Sequence, residues 1–373
     1  MAVSFLDLSR QHEPLKKELL HAIEQVIDSS EYILGSAVAR FEQNFAQRLK
    51  ASHCVGVNSG TDALLLTLHA LGIQPGDQVI CPAFGYVAMA DVIPRMGAHI
   101  VFADINEHFT IDVEHVRQLM NENTRAVIAA HMFGRMADVE TLAQMTAEQG
   151  VHLIEDCSHA CGAEINGRPA GTWGTAGAFS FSPERNLGCI GDGGAIVTNN
   201  PELAQRLRLY RDHGAEAENR YVEIGYNSRL DAIQAAILDV KLGTLDEDNA
   251  DREANAAFYQ NHLSSEVFAL PDPGPEGSHV FNYYTIRSTM RDQLRSFLKD
   301  RMVDTRVYYP VPLHLQPCFE YLGYTEGHIP VAEQMAKEVL SLPVSPGLTR
   351  QELEEVAHTI DLFAQTYTTP TAG

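Results

Sequence analysis

Lysine is scarce and unevenly distributed in this chain of 373 residues. The only lysines are Lys16, Lys17, Lys50, Lys241, Lys299 and Lys337, so none lies between residues 50 and 241. The formal net charge is -22 at neutral pH. Nucleic acids and anionic membranes bind clusters of Lys and Arg, so neither is expected as a general partner. The dispersed acidity instead favours solubility.

Metal-binding cysteine patterns and long apolar runs are also missing. The six cysteines form no CxxC pair and no zinc-like spacing, which argues against a metal or iron-sulfur site and favours free thiols in a reducing compartment. There is no apolar run of about 18 residues, as a membrane-spanning helix requires. The first residues lack the basic and apolar regions of a signal peptide. We therefore expect a cytoplasmic protein.

Length and composition favour a large domain and a smaller one. With 45% hydrophobic residues, the chain has enough apolar side chains for two cores. After about residue 245 the pattern changes to helices, followed by a segment rich in Pro and Gly at 270–277. The expected domains are residues 1–245, including an N-terminal helix, and residues 246–373.

Short apolar runs alternate with helical or loop segments in the first of these regions. Residues 14–29 have apolar side chains at helical spacing and predict an amphipathic helix. The predicted strands are residues 78–81, 99–102, 126–130, 152–155, 178–181 and 194–198. Such alternation predicts an α/β domain with a largely parallel sheet.

Two positions in this pattern favour ligand binding. Gly60 and Thr61 lie where a short apolar run passes through small polar residues into a helix, and a helix N-terminus presents backbone N–H groups to anions. Asp156 directly follows a predicted strand, at the end of the sheet where α/β proteins bind ligands. Each position is also typical of an ordinary helix cap or turn.

Several motifs together resemble one family. The motifs are NSGTDAL at residues 58–64, EDCSHA at 155–160, FSF at 179–181, GDGG at 191–194 and GYNSR at 225–229. They are similar, in order, to those of the DegT/DnrJ/EryC1/StrS nucleotide-sugar aminotransferases, which are fold type I enzymes dependent on pyridoxal phosphate (PLP). The resemblance implies a three-layer α/β/α large domain with a mainly parallel sheet and a smaller C-terminal α+β domain.

The resemblance implies a set of cofactor contacts. Gly60, Thr61 and Ser180 correspond to the residues that bind the cofactor phosphate. Asn227 corresponds to an asparagine that reaches the phosphate from the neighbouring subunit, which implies a homodimer with shared active sites. A nucleotide-linked sugar is the implied substrate.

The resemblance also assigns the residues around the cofactor ring. Asp156 is the implied partner of the ring nitrogen, and His159 lies where the family has Gln or His near the phenolic oxygen. Tyr86 corresponds to an aromatic that stacks on the ring. Tyr309 and His314 belong to the family's segment beside the active site and are candidate substrate contacts, although His314 is also interpretable as a structural histidine.

Arg185 lies where the family carries its Schiff-base lysine. A lysine amine attacks the cofactor aldehyde and then moves protons, whereas a guanidinium stays protonated and is a poor nucleophile. Arg185 and His159 are therefore the expected catalytic residues of an altered site. PLP or pyridoxamine phosphate (PMP), if bound at all, is expected to bind without a covalent bond.

Four alternatives remain open from the sequence. The first is a divergent enzyme acting on a nucleotide-activated keto-sugar, of which PMP-dependent sugar 3-dehydratases, with His at this position, are a precedent in the family. The second is a non-catalytic paralogue or partner of an active homologue. The third is a cofactor-independent enzyme that reuses the sugar pocket. The fourth is an aminotransferase inactivated by an engineered Lys-to-Arg substitution.

Overall fold

The computed structural model describes residues 1–263 and 267–368. The α-helices in these residues are α1 (Leu8–Ser29), α2 (Gly35–Arg48), α3 (Gly60–Ala70), α4 (Ala88–Arg95), α5 (Val113–Leu119), α6 (Val139–Glu148), α7 (Pro201–Arg211), α8 (Ala232–Leu242), α9 (Leu245–His262), α10 (Arg291–Asp300), α11 (Pro330–Glu338) and α12 (Arg350–Thr368). The strands are β1 (His53–Val57), β2 (Gln78–Pro82), β3 (His99–Ala103), β4 (Thr124–Ala130), β5 (His152–Asp156), β6 (Glu164–Ile165), β7 (Arg168–Pro169), β8 (Ala176–Ser180), β9 (Gly194–Thr198), β10 (Ala215–Ala217), β11 (Arg220–Tyr221), β12 (Tyr284–Arg287) and β13 (Val339–Leu342).

A seven-stranded sheet forms the centre of the large domain. Its strand order is β1-β9-β8-β5-β4-β2-β3. Only β9 runs against the other strands, since it is antiparallel to both β1 and β8. Each predicted strand overlaps an observed one, and the predicted α/β architecture with a mainly parallel sheet is confirmed. The near-continuous burial of β4, β5 and β8 explains why their sequences are apolar runs without alternation.

Helix α1 is longer than the predicted helix. The apolar spacing indicated a helix over residues 14–29, whereas α1 begins at Leu8. Asp7 caps this earlier start, because its side chain accepts a hydrogen bond from the Ser9 N–H at 3.1 Å. Pro14, where the sequence pattern placed the start of the helix, lies inside its first two turns.

The C-terminal region has its own apolar cluster. Ile286, Leu298, Val356 and Phe363 belong to this cluster, which Val3 also joins from the chain's beginning. By contrast, Leu313 and other residues up to Val339 pack with the apolar cluster of the large sheet. The boundary near residue 245 remains a prediction. Among the described residues, no helix is long and apolar enough to cross a bilayer.

A buried carboxylate holds the ends of the central strands together. Glu155 accepts hydrogen bonds from the backbone N–H groups of Gly171, Trp173 and Gly174 at 2.7 to 2.8 Å. Its Oε2 also lies 3.1 Å from His131 Nε2, just beyond β4. Since Glu155 directly precedes Asp156, these bonds position the end of β5.

We expect Glu155→Gln to destabilise the fold by about 3 kcal/mol, because buried groups that lose a charged partner cost roughly this much. Each carboxylate oxygen accepts two donors, so either amide orientation turns an NH₂ group toward other donors. Urea denaturation measures the change, with the exposed Glu140→Gln as matched control. Equal stability of the two variants would contradict the role given to Glu155.

Candidate active site

A cavity of about 230 Å³ opens at the carboxyl ends of the sheet strands. Parallel α/β sheets bind their ligands at this edge. Of the residues predicted from the sequence, those lining the cavity are Gly60, Thr61, Tyr86, Asp156, His159, Ser180, Arg185 and Tyr309. Positions far apart in the sequence therefore converge on one space.

One end of the cavity is the N-terminus of α3. The Ser59 side chain caps this helix by accepting the Asp62 N–H at 3.1 Å. A Cβ atom on residue 60 would lie 2.5 Å from the Ser180 Cβ, so only glycine allows β8 to approach the helix this closely. Within residues 1–263 and 267–368, the N–H groups of Gly60 and Thr61 have no protein acceptor. These donors and the Ser180 hydroxyl fit a phosphate group.

The carboxylate of Asp156 lies at the end of β5. One oxygen, Oδ1, accepts the Ser158 N–H at 3.0 Å. The other oxygen has no donor among the described residues, although the side chain is half-buried and lines the cavity. It is available to accept a hydrogen bond from a protonated ring nitrogen, as a pyridine-type cofactor requires.

His159 is buried in the cavity wall as a neutral imidazole. Its Nδ1 accepts the Phe133 N–H at 3.2 Å, which assigns the proton to Nε2. Burial, and then the nearby Arg185 charge, hold the pKa of His159 well below its usual value of 6.5. The ring therefore offers one N–H donor rather than a positive charge.

Arg185 is a buried cation, with 8% of its surface exposed. Its Nη1 donates to the Tyr283 hydroxyl at 3.2 Å and lies 3.5 Å from Asn282 Oδ1 and 3.8 Å from Glu184 Oε1. Burial alone would lower the pKa of Arg185, but Tyr283, Tyr309, Glu184 and Asp156 together raise it above its ordinary value. Its buried Nε has no hydrogen-bond partner among the described residues, so the guanidinium keeps an unused donor.

Tyr86 and Tyr309 line the cavity in different settings. Tyr86 is 53% exposed and so lies toward solvent. Tyr309 is half-buried, and burial raises its pKa above the usual value of 10. It keeps its hydroxyl proton at neutral pH and is available as a donor.

Two predicted site residues lie outside the cavity lining. His314 is buried, and its Nε2 lies 3.0 Å from Glu333 Oε1. Burial, only partly offset by Glu333, lowers the pKa of this histidine. Asn227 is exposed on the surface of the single chain, where its backbone forms a bridge with Asp212.

Lysine is absent from the cavity lining within residues 1–263 and 267–368. Lys241 comes nearer in space than its sequence position suggests, since its buried ammonium donates to the Gly188 carbonyl. Burial lowers the pKa of Lys241. The hydrogen bond from Lys241 to Gly188 stabilises the turn that follows Arg185.

A buried group of possible metal ligands lies near the cavity. The ligand atoms of His131, Glu155 and Cys157 are all within 4.8 Å of one another. However, both Glu155 oxygens accept backbone N–H groups, and His131 Nδ1 accepts the Ala137 N–H. This arrangement fits a hydrogen-bond network because its lone pairs are already engaged.

Comparison with protein-family models identifies the family. Residues 13–361 match the DegT/DnrJ/EryC1/StrS aminotransferase family. The chain belongs to this family. The resemblance predicted from the sequence motifs, together with the implied α/β fold of PLP-dependent aminotransferases, is confirmed.

Relatives within the DegT/DnrJ/EryC1/StrS family cover nearly the whole chain. A pleiotropic regulatory protein of Geobacillus stearothermophilus is 44% identical over 367 residues, covering 97% of this chain and 99% of the relative. A dTDP-3-amino-3,4,6-trideoxy-α-D-glucose transaminase of Streptomyces venezuelae is 42% identical over 365 residues, covering 97% and 96%.

Solved structures of the same family share the fold closely. Streptomyces venezuelae DesV, in complex with a ketimine intermediate, superposes with a TM-score of 0.95 at 41% identity, covering 98% of this chain and 99% of that one. The ntda protein of Bacillus subtilis, with bound cofactor PMP, has a TM-score of 0.91 at 28% identity, covering 98% and 85%. The PLP- and PMP-dependent aminotransferases are therefore the structural neighbours of this chain.

Sequence reasoning missed several residues of the cavity and its wall. The missed lining residues include Ser59, Ser158 and Glu184, each of which lies beside predicted residues. Their sequence positions, within or next to the motifs, could have identified them as site residues. Tyr283 contacts Arg185 across 98 positions of sequence. No local pattern reveals such a contact, because it depends on how the C-terminal region packs on the sheet.

The neutral state of His159 predicts a pH dependence of stability. In the unfolded chain its imidazole takes a proton near pH 6.5, whereas the folded site keeps it neutral to lower pH. The unfolded state then binds more protons, so this contribution to stability is present above about pH 6.5 and is lost as the pH falls.

We expect the unfolding free energy of His159→Asn to fall less steeply than that of the wild-type protein between about pH 7 and pH 5. The two slopes should differ by up to about 1.4 kcal/mol per pH unit. The asparagine side chain retains an acceptor for the Phe133 N–H, so the packing is largely kept. Urea denaturation at a series of pH values measures both slopes. Parallel pH curves would contradict a depressed His159 pKa.

Proposed function

We propose that this chain binds PLP or PMP without a covalent bond and modifies a nucleotide-linked keto-sugar. The observation that carries the proposal is the composition of the cavity: it contains unpaired phosphate donors and a free carboxylate oxygen, but a buried guanidinium in place of an amine. The family match over residues 13–361 supports the same reaction class.

The residues of the cavity fit the two ends of the cofactor. The N–H groups of Gly60 and Thr61, with the Ser180 hydroxyl, would hold the phosphate, and Asp156 would pair with the ring nitrogen. The His159 Nε2–H would donate to the phenolic oxygen. When bound, this cofactor supplies an electron sink for bonds at the substrate carbon.

Arg185 gives the site chemistry different from that of an amine. Because its guanidinium is protonated at all physiological pH values, it neither attacks a carbonyl group nor accepts a proton at a useful rate. The permanent charge of this cavity-lining side chain instead suits it to bind and orient an anionic oxygen of the ligand. Tyr309, protonated and beside this charge, is the nearby hydroxyl donor.

The named activities of relatives support the proposed substrate class. The Streptomyces venezuelae relative is named a transaminase of a dTDP-linked 3-amino sugar, which supports a nucleotide sugar with its keto group at position 3. This assignment extends the relative's named substrate class to the present chain.

A homodimer with shared sites belongs to the same proposal. Asn227 is exposed in the single chain, and the preceding segment carries exposed Tyr221, Val222 and Ile224. Clustered exposed apolar side chains favour a protein interface. A second subunit on this face would bury them and bring Asn227 toward a cofactor phosphate.

A second candidate is a non-catalytic binding protein. The observation in its favour is the buried Arg185 cation, which lacks the amine that ordinary transamination uses. The Geobacillus stearothermophilus relative is named a pleiotropic regulatory protein, which supports a regulatory role as the alternative. Binding of cofactor and nucleotide sugar without turnover would favour this candidate.

We expect the wild-type protein to bind PLP but to form no covalent adduct on borohydride reduction, because the cavity lining offers no primary amine. Arg185→Lys is expected to trap PLP on residue 185. Absorbance spectroscopy follows binding, and peptide mass spectrometry locates any adduct. Arg185→Met, which also lacks an amine, is the matched control. An adduct on any lysine of the wild-type protein would falsify the proposal.

We expect Asp156→Asn to weaken PMP binding by roughly tenfold or more, because removing a charged hydrogen-bond partner costs about this much. The same change should abolish conversion of 3-keto-sugar nucleotides, measured by chromatography of the products. Asp192→Asn alters another carboxylate of the cavity lining and is the matched control. Turnover that persists without added PMP would instead support cofactor-independent chemistry.

A further inference from the structure

A second cavity of about 180 Å³ lies behind the candidate active site. Phe133 and Tyr283 form part of its wall, and Met132 lines both cavities. The lining also includes the segment Ala269–Asp272 and Arg287 on β12. Neither the family match nor the relatives assign a ligand to this space.

Arg287 is a half-buried cation without a carboxylate partner among the described residues. Among the described residues, the one polar contact of its side chain is from Nη1 to the Met335 sulfur at 3.4 Å, and a thioether is a weak acceptor. Its backbone is fixed by pairing with Ala269 through two hydrogen bonds of 2.8 and 2.9 Å. The charged side chain is thus held at the cavity with donors to spare.

The other arginine of the cavity is neutralised. Arg135 donates to the Asp272 carbonyl, and its Nη2 lies 3.2 Å from Asp272 Oδ2. The remaining carboxylate of the lining, Glu107, is 71% exposed and therefore solvated. Arg287 is consequently the cation of this lining whose charge is not balanced inside the cavity.

His279 adds a second unused donor. It is buried, with 5% of its surface exposed, and its Nδ1 accepts the Phe281 N–H at 3.1 Å. Burial, and then Arg135, lower the pKa of His279 to about 3, so the neutral ring carries its proton on Nε2. That N–H has no protein acceptor in residues 1–263 and 267–368, although His279 lines the cavity.

The rest of the wall is largely apolar and aromatic. Phe109 and Phe133 pack edge to face, with ring centroids 5.1 Å apart, and Leu270 and Pro271 lie among the lining residues. An apolar protein cavity of roughly 150 Å³ holds one benzene ring, so this space has room for a ring with a small substituent. Glu107 and Asp272 at the solvent side disfavour ligands of high negative charge.

We infer that this second cavity binds a small aromatic monocarboxylate, with its carboxylate on Arg287 and its ring against Phe109 and Phe133. A planar carboxylate suits the guanidinium fork. The inference is independent of the reaction proposed for the first cavity, because Arg287 does not line that cavity.

Benzoate is the test ligand, and its binding to the full-length protein is measured by isothermal titration calorimetry. We expect saturable binding by the wild-type protein and binding roughly tenfold weaker or more for Arg287→Gln. Arg295→Gln removes an exposed arginine from α10 and should leave the affinity unchanged. Neutral benzamide, which has nearly the same shape, should bind more weakly than benzoate.

A competing anion distinguishes the two cavities. Saturating inorganic phosphate, whose expected donors in the first cavity are Gly60, Thr61 and Ser180, should leave benzoate binding unchanged if the carboxylate lies on Arg287. Competition between the two anions would locate benzoate in the first cavity and overturn the inference. The inference would also be overturned if the wild-type protein did not bind benzoate or bound benzamide with equal affinity. It would likewise be overturned if Arg287→Gln bound benzoate as tightly as the wild-type protein. If circular dichroism shows that Arg287→Gln does not fold, Arg287→Lys replaces it in the experiment. We expect its affinity for benzoate to lie between those of the wild-type protein and a protein without the site. An affinity equal to that of the wild-type protein would contradict the site.

Discussion

The buried Glu155 carboxylate is the interaction on which the geometry of the sheet edge depends. A charge at this depth is tolerated only when its oxygens are fully hydrogen-bonded. Three backbone N–H groups from residues 171–174 and the His131 imidazole meet this requirement. This one side chain therefore holds together the loop at 171–174, the residue after β4 and the end of β5. Asp156, the next residue, takes its position from this network.

Electrostatics inside the cavity are set by a second buried charge. Arg185 remains cationic because the hydroxyls and carboxylates around it outweigh the effect of burial on its pKa. The same charge helps to keep His159 neutral. An amine in this space would lose its proton readily on burial, whereas a guanidinium does not. The cavity is accordingly suited to anionic groups and has a neutral imidazole as a donor beside them.

Local sequence patterns predicted most strands of the central sheet. Apolar runs located these strands, and Asp156 was expected directly after one of them, whereas Ser180 was identified through the family resemblance. Contacts that depend on packing were beyond such reasoning. His314 pairs with Glu333, and Lys241 reaches Gly188 across 53 positions. The start of α1 was also missed, because its cap precedes the apolar repeat.

The two cavities share part of their wall. The Tyr283 hydroxyl accepts from Arg185, while Tyr283 itself also lines the second cavity. Likewise the Phe133 N–H donates to His159, and Phe133 contributes to the same second lining. A ligand that displaces the Tyr283 side chain is therefore expected to change a hydrogen bond to Arg185, one of the two polar groups that distinguish the first cavity.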